Sequence, residues 1–171
     1  MRSTIMAVTS MPVLRRLAVS LLAAALLGGG AVLAADSGPA IEITRNGAHP
    51  ALPGPAARFT GRATVSELLA AHAPSRISVG SVSFEPGARS AWHTHPAGQI
   101  LIVTAGLGWV QQEGSSIEKM RPGDVVWIPP GVKHWHGASA TNGVTHLAIQ
   151  EAVDGRNVEW LEAVGDDQYH R

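Results

Sequence analysis

The stretch FEPGARSAWHTHPAGQILIVTAGLGWVQQEG, residues 84–114, decides the fold. It consists of short apolar runs, rich in β-branched and aromatic side chains, that are separated by Gly, Pro and Ser. The same pattern extends from Pro74 to about residue 153, with a turn signal roughly every 6–12 residues. Such a pattern favours an all-β sandwich or barrel over alternating strands and helices. We therefore predict a single all-β domain over residues 59–171.

Polar side chains recur on one face of three of these runs, because alternate residues of a strand share a face. They are His93 with His95, about 7 Å apart along a strand, His134 with His136, and His146 with Gln150. In a small closed barrel this face can be the interior, where side chains of different strands converge. Neutral imidazole is the commonest metal ligand, and Gln99 supplies a neutral oxygen. The spacing predicts a divalent metal site that His134 closes from a facing strand.

Two glycine-containing patterns surround these residues. Residues 87–106 read G-x5-H-x-H-x3-Q-x6-G and resemble the first cupin motif, with Gln99 where most cupins carry glutamate. Residues 123–138 contain G-x5-P-x-G-x2-H and resemble the second cupin motif, with Ala138 where many members carry asparagine. The resemblance implies a single-domain cupin jelly-roll β-barrel whose interior holds one divalent metal.

Within the cupins, residues 84–114, RPGDVVWIPPGVKHWHGA (121–138) and THLAIQE (145–151) resemble the bacterial manganese-dependent hydroxynitrile lyases. These lyases cleave or form cyanohydrins. The resemblance implies the metal ligands His93, His95, Gln99 and His134, and an acid/base role for His146. It implies one Mn²⁺ per chain, although such N/O ligands also accept Fe²⁺, Co²⁺, Ni²⁺ or Zn²⁺.

The donor set suits an anionic substrate group. All four donors are neutral, so the cation keeps its full charge, whereas a glutamate ligand would reduce it. The implied reaction is reversible cleavage of a cyanohydrin to an aldehyde and cyanide, with the metal as Lewis acid. Two other functions stay open: a cupin dioxygenase that uses the same three histidines, and an exported cupin that binds a metal or small ligand without catalysis.

Further side chains are assigned by face. Val82, Ser90, His136 and Gln150 are predicted to line the substrate pocket, whereas Trp92, Trp127 and Trp135 are predicted to lie in the core. Arg89 and Lys133 are expected to face water, as are His49, His72 and His170.

The N-terminal residues predict export. Residues 1–35 hold three arginines and no acidic residue, and a Leu/Ala-rich run follows the arginines, as in a secretory signal peptide. We expect cleavage and a periplasmic or secreted protein without stable membrane association; an uncleaved anchor and twin-arginine export are the alternatives. Residues 36–58 are predicted to form a Gly/Pro-rich arm with a short strand at Ile41–Thr44, and Arg62–Ala71 to form a strand or short helix.

Composition narrows the possible partners. The chain has no cysteine, which excludes disulfides, thiolate metal sites and a thiol nucleophile. Its 13 basic and 13 acidic residues balance, which argues against nucleic-acid binding. We expect a small-molecule substrate and a homo-oligomer, either a dimer or a tetramer.

Overall fold

Two antiparallel sheets enclose a shared interior in the computed structural model, which describes residue 38 and residues 40–170. The predicted signal peptide, residues 1–35, lies outside the described residues. The strands are β1 (Leu52–Pro53), β2 (Phe59–Thr60), β3 (Ala63–Leu69), β4 (Ile77–Phe84), β5 (Arg89–Ser90), β6 (His93–Thr94), β7 (Gln99–Gly106), β8 (Gly108–Gln112), β9 (Glu118–Met120), β10 (Val125–Ile128), β11 (His134–Ala138), β12 (Val144–Glu151) and β13 (Glu159–Trp160). One short helix, α1 (Asp166–Tyr169), follows them.

The strand order is that of a jelly roll. The first sheet runs β1-β3-β4-β12-β7-β10, and the second runs β13-β6-β11-β5-β2, with β8 paired to β11 and β9 paired to β8. Every pair is antiparallel, and neighbours in space are often distant in sequence, as β12 between β4 and β7 shows. The predicted all-β fold is therefore confirmed.

The alternation of side chains along β12 and its neighbours β4 and β7 agrees with the two-residue period in the sequence. On β12, Val144, His146 and Ala148 are buried, whereas the residues between them are only partly buried. The buried set faces the interior, where His146 lies opposite Val82 on β4 and Gln150 lies opposite Gln99 on β7. The alternation thus places apolar and polar side chains on one inner surface.

Apolar side chains fill one part of the interior, and the buried histidines lie in another. The apolar cluster includes Phe84, Leu101, Val103 and Met120.

Gly106 ends β7 at φ 81°, and a Cβ there would lie 2.0 Å from the carbonyl oxygen of Gly143. The chain can therefore turn from β7 into β8 this close to the β12 end only at a glycine.

A second apolar cluster covers the outer face of the second sheet. Trp92 and Trp135 are buried there against Val164 and Tyr169 of the C-terminal segment. The prediction that these two tryptophans lie in the core is confirmed. Trp127 differs: it lies on β10, an edge strand, and is 57% exposed, because nothing among the described residues covers that strand.

Arg89 corrects a second expectation. It was expected to face water, but it is 5% exposed, because the C-terminal segment folds over it. Its guanidinium donates to the Val164 carbonyl oxygen at 2.9 and 3.2 Å and to Asp166 Oδ1 at 2.6 Å. It also lies 4.7 Å from the centre of the Tyr169 ring. Lys133, the other residue expected to face water, forms ion pairs with Glu113 and Glu162.

The N-terminal part of the described chain is mostly irregular. The strand predicted at Ile41–Thr44 does not form; instead Leu52–Pro53 of the predicted arm pairs with β3. Residues 62–71 form a strand rather than a helix, over Ala63–Leu69. Among the described residues, no helix is long and apolar enough to cross a membrane.

The Arg89 contacts predict a strong effect on stability. In Arg89→Met the buried carbonyl oxygen of Val164 loses its charged donor, and we expect the free energy of unfolding to fall by about 2–4 kcal/mol. Arg76→Met is the control, since the ion pair of Arg76 with Glu151 is exposed and is worth at most about 1 kcal/mol. Urea unfolding of both variants measures the difference, and equal losses would contradict the structural role of Arg89.

Candidate metal centre

Three histidines meet in the interior because of strand register. His93 on β6 pairs directly with His134 on β11, and their ring centres are 4.2 Å apart. His95 follows β6 immediately, with its ring centre 5.2 Å from that of His93 and 5.6 Å from that of His134. All three are buried, and one nitrogen of each lies within 4.8 Å of the others.

The tautomer of each ring is fixed by a backbone carbonyl. Nδ1 lies 2.9 Å from the Ala91 oxygen in His93, 2.5 Å from the Asn157 oxygen in His95 and 2.9 Å from the Val132 oxygen in His134. A carbonyl oxygen only accepts, so each Nδ1 carries the proton and each Nε2 keeps a lone pair. Among the residues that the structure describes, Nε2 of His95 is buried and has no hydrogen-bond partner. Converging lone pairs without a donor fit a bound cation.

Gln99 is brought beside these rings by a tight turn. Gly98 has φ 81°, and a Cβ at this position would lie 2.6 Å from the Ile128 carbonyl oxygen. The turn starts β7 at Gln99, whose Oε1 lies 3.4 Å from Nε2 of His134. Since that Nε2 is unprotonated, two acceptors face each other, and a cation between them would satisfy both. The amide therefore fits a fourth neutral ligand, and no described Asp or Glu lines the cavity beside these rings.

Burial keeps these rings neutral. It lowers the pKa of His93 well below the ordinary value, and the neighbouring His134 adds to the shift. Burial also lowers the pKa of His95, and it lowers the pKa of His134 to about 4. At neutral pH all three rings are neutral, with Nε2 unprotonated, which is the form that binds a metal.

A cavity of about 140 Å³ opens onto the cluster. It is lined by Phe59, Val65, Gly80, Val82, His93, His95, Gln99, His136, Ala148, Gln150, Asn157, Val158 and Trp160. Three of the predicted ligands line it, whereas His134 lines a different cavity. Of the predicted pocket residues, Val82, His136 and Gln150 line it. Ser90 does not; it is buried, and its Oγ accepts a hydrogen bond from the His136 backbone N–H at 3.2 Å.

His146 lies behind this cavity rather than in its wall. It is fully buried, and its Nε2 lies 3.2 Å from Nδ1 of His136, which does line the cavity. Burial lowers the pKa of His136 well below its ordinary value, and His146 adds to the effect. Burial lowers the pKa of His146 to about 4. The structure thus places a pair of neutral imidazoles beside the three-histidine cluster, with His136 as the nearer member.

Sequence reasoning missed several wall residues. Gly80 and Ala148 are in phase with Val82 and Gln150, so the strand alternation could have identified them. Phe59 and Trp160, with ring centres 5.8 Å apart, form an aromatic wall that no local pattern indicated. They come from short strands at the two ends of the domain.

The lowered pKa values predict acid-sensitive stability of the metal-free protein. His146 binds a proton near pH 6.5 in the unfolded chain but only near pH 4 in the folded protein. Its contribution to the free energy of unfolding is therefore complete above pH 6.5 and is lost as the pH falls towards 4. We expect the urea midpoint to fall between pH 7 and pH 5. His146→Leu should reduce this fall, and His72→Ala, at an exposed position, should not. An unchanged slope in His146→Leu would refute the assignment.

Comparison with known proteins agrees with this geometry. The profile of the cupin domain matches residues 80–149. A Granulicella tundricola protein named (R)-mandelonitrile lyase is 56% identical over 131 residues, which cover 77% of this chain and all of that protein. The structure of a cupin-like protein from Thermotoga maritima is 42% identical with a TM-score of 0.66, over 69% of this chain and 90% of that one.

A more distant structure supports the fold alone. A cupin 2 conserved barrel domain protein from Rhodopseudomonas palustris is 20% identical with a TM-score of 0.56, over 70% of this chain and 80% of that one. The cupin-domain match, the similarity to the cupin-like Thermotoga maritima structure, the barrel and the three-histidine cluster lead to one conclusion. The chain belongs to the cupin family.

Proposed function

We propose that this protein is a metal-dependent hydroxynitrile lyase, which reversibly cleaves a cyanohydrin to an aldehyde and cyanide. The observation that carries the proposal is the wholly neutral donor set beside a small cavity, whose wall also includes His136, the nearer member of a neutral imidazole pair. The 56% identical protein named (R)-mandelonitrile lyase supports it. That name also suggests an aromatic cyanohydrin as the substrate class.

The size and walls of the cavity suit the aromatic ring of such a substrate. Its volume of about 140 Å³ is close to that of an engineered apolar cavity, on the order of 150 Å³, that binds benzene. Phe59 and Trp160 provide aromatic surface, and Val65 and Val82 provide aliphatic surface. The aryl group of the substrate packs against these walls. The hydroxyl and nitrile groups of the substrate then face the histidine cluster and His136.

The residues that would hold the cation are His93, His95, Gln99 and His134. A divalent cation there, which we propose is Mn²⁺, would supply Lewis-acid stabilisation of negative charge on the substrate oxygen. None of the four ligands carries charge, so the site keeps its full attraction for an oxyanion or for cyanide. Burial strengthens that attraction, since screening by water is weak there.

Proton transfer is assigned to the histidine pair. His136 faces the cavity and accepts the hydroxyl proton; the O–H electron pair forms the carbonyl bond, and the C–C bond to the nitrile breaks. Cyanide leaves with that bonding pair and takes the proton to become HCN. His146, for which the resemblance implies the acid/base role, acts through its contact with His136 Nδ1 and shares the charge that forms there. Because burial holds the pKa of His136 well below its ordinary value, this ring is neutral at neutral pH and has a lone pair that can accept the proton.

Two other parts of the proposal rest on the N-terminal sequence and on the exposed surface. The N-terminal residues support export to the periplasm or the medium. We also propose a homodimer or homotetramer, because apolar side chains such as Val125 and Trp127 are exposed on the outer face of the first sheet.

The histidine pair gives the main test of the function. The Mn²⁺-loaded protein should release benzaldehyde from racemic mandelonitrile, and His136→Ala and His146→Ala should each lower kcat by about 100-fold or more. Metal content must be measured for each variant, since His136 lies close to His134. His72→Ala is the control with an exposed histidine and should keep full activity.

Three results would contradict this proposal. Full activity of both histidine variants at normal metal content would remove the pair from the mechanism. Oxygen consumption with a flavonol or diketone, without mandelonitrile cleavage, would identify a dioxygenase. Tight metal binding with neither activity would identify a binding protein.

The neutral donor set gives a separate test. Gln99→Glu adds a negative ligand, so we expect it to bind Mn²⁺ at least as tightly but to lower kcat/KM by at least about tenfold, since the attraction for the anion weakens. Asn46→Asp adds the same charge at an exposed position in the irregular N-terminal part and serves as the control. Calorimetry and initial rates measure the two effects. Equal kcat/KM in Gln99→Glu at equal metal content would show that ligand charge is unimportant.

A further inference from the structure

A single hydroxyl group outside the donor set organises the polar groups around it. Ser78 lies on the inner face of β4, opposite Gln150 on β12. Its Oγ donates to the Gln150 backbone oxygen at 3.4 Å. It accepts from Nε2 of Gln150 at 3.1 Å and from Nδ2 of Asn157 at 3.3 Å. One donated and two accepted bonds use the full capacity of a hydroxyl.

This hydroxyl decides which way the amide of Gln150 points. Because its proton is directed to a carbonyl oxygen, it presents lone pairs to Gln150, and these require the NH₂ group of that amide. Oε1 of Gln150 is then left to face Gln99, whose Nε2 donates to it at 3.3 Å. If the Gln150 amide were flipped, its NH₂ group would face the NH₂ group of Gln99. The hydrogen bonds of Gln150 to Ser78 and to Gln99 would both be lost.

The orientation of Gln99 follows from that of Gln150. With its Nε2 bonded to Gln150, the Gln99 amide turns Oε1 toward the histidines, where it lies 3.4 Å from Nε2 of His134. Only the oxygen of an amide can bind a cation, so the reverse orientation would give a site with three donors. The sequence of bonds from Ser78 to Gln99 therefore fixes the chemistry of the fourth ligand.

The same hydroxyl reaches a second ligand. Asn157, which donates to Ser78 through its side chain, accepts from Nδ1 of His95 through its backbone oxygen at 2.5 Å. That bond sets the tautomer that leaves Nε2 of His95 unprotonated. Ser78 thus contacts Gln150, which orients the ligand Gln99, and Asn157, which orients the ligand His95.

We propose that Ser78 is a positioning residue of the metal site: through Gln150 it directs the amide oxygen of Gln99 toward the cation. The inference rests on the metal site of the proposed function, but not on the reaction assigned to it. Groups that orient metal ligands typically change metal affinity by about 10–100-fold when they are removed.

The test compares three variants for Mn²⁺ affinity, measured by calorimetry on the metal-free protein. Ser78→Ala removes the hydroxyl and should raise the Kd by about tenfold or more. Ser78→Thr keeps a hydroxyl and should restore most of the affinity. Ser83→Ala is the matched control on β4, because it removes a 2.9 Å hydrogen bond to Thr145 on the opposite face of the same two strands. It should leave the Kd within about twofold of the parent.

A merely structural role of Ser78 would give a different result. In that case Ser78→Ala and Ser83→Ala would lower the Tm of the metal-free protein and the Mn²⁺ affinity to similar extents. A double substitution tests the route: if Ser78 acts mainly through Gln150, adding Ser78→Ala to Gln150→Ala should raise the Kd by much less than Ser78→Ala does in the parent protein. Additive losses, or an unchanged Kd in Ser78→Ala, would overturn the proposal.

The outcomes separate this inference from the proposed function. A parent protein that binds Mn²⁺ but does not cleave mandelonitrile overturns the lyase assignment alone, and the ratio of Kd values still decides the role of Ser78. A parent protein that binds no divalent cation overturns both.

Discussion

Three imidazole rings held by backbone carbonyls, with unprotonated nitrogens turned toward one another, are the constraint on which this molecule depends. Each carbonyl oxygen accepts a hydrogen bond from Nδ1–H of one ring, so each Nε2 keeps its lone pair, and that of His95 has no hydrogen-bond partner among the described residues. Unsatisfied buried polar atoms reduce stability, and a cation is the partner that suits lone pairs from several directions. The β6–β11 register and the turn at Gly98 place these rings beside Gln99, the remaining neutral donor.

The barrel separates this chemistry from the packing that stabilises it. One apolar cluster fills the interior away from the histidines, and another covers the outer face of the second sheet. The C-terminal segment closes over Trp135 and is held by the buried guanidinium of Arg89. The strands that carry His93 and His134 are therefore supported from both sides, which is the rigidity that a metal site requires.

Prediction from sequence succeeded where the pattern was local. The alternation along β4, β7 and β12 identified the inner face, and the ligand spacing identified the cluster of His93, His95 and His134. The sequence pattern was less informative about which histidine transfers the proton. His146 and His136 share the inward-facing phase of their strands, but only the packing shows which ring reaches the cavity. Arg89 likewise looks like a surface residue until the C-terminal segment covers it.

The sequence by itself determined the β-barrel class, the faces of the long strands and a metal-binding cluster of histidines, because these follow from a two-residue backbone period and from turn glycines. Only the tertiary structure decided the tautomer of His95, the orientation of the Gln99 amide and the order of the imidazole pair. Each of these depends on a partner far away in the chain, such as Asn157 or Ser78, and a hydrogen-bond direction is set by the partner's own remaining donors and acceptors. Such information becomes available only once the strands are assembled.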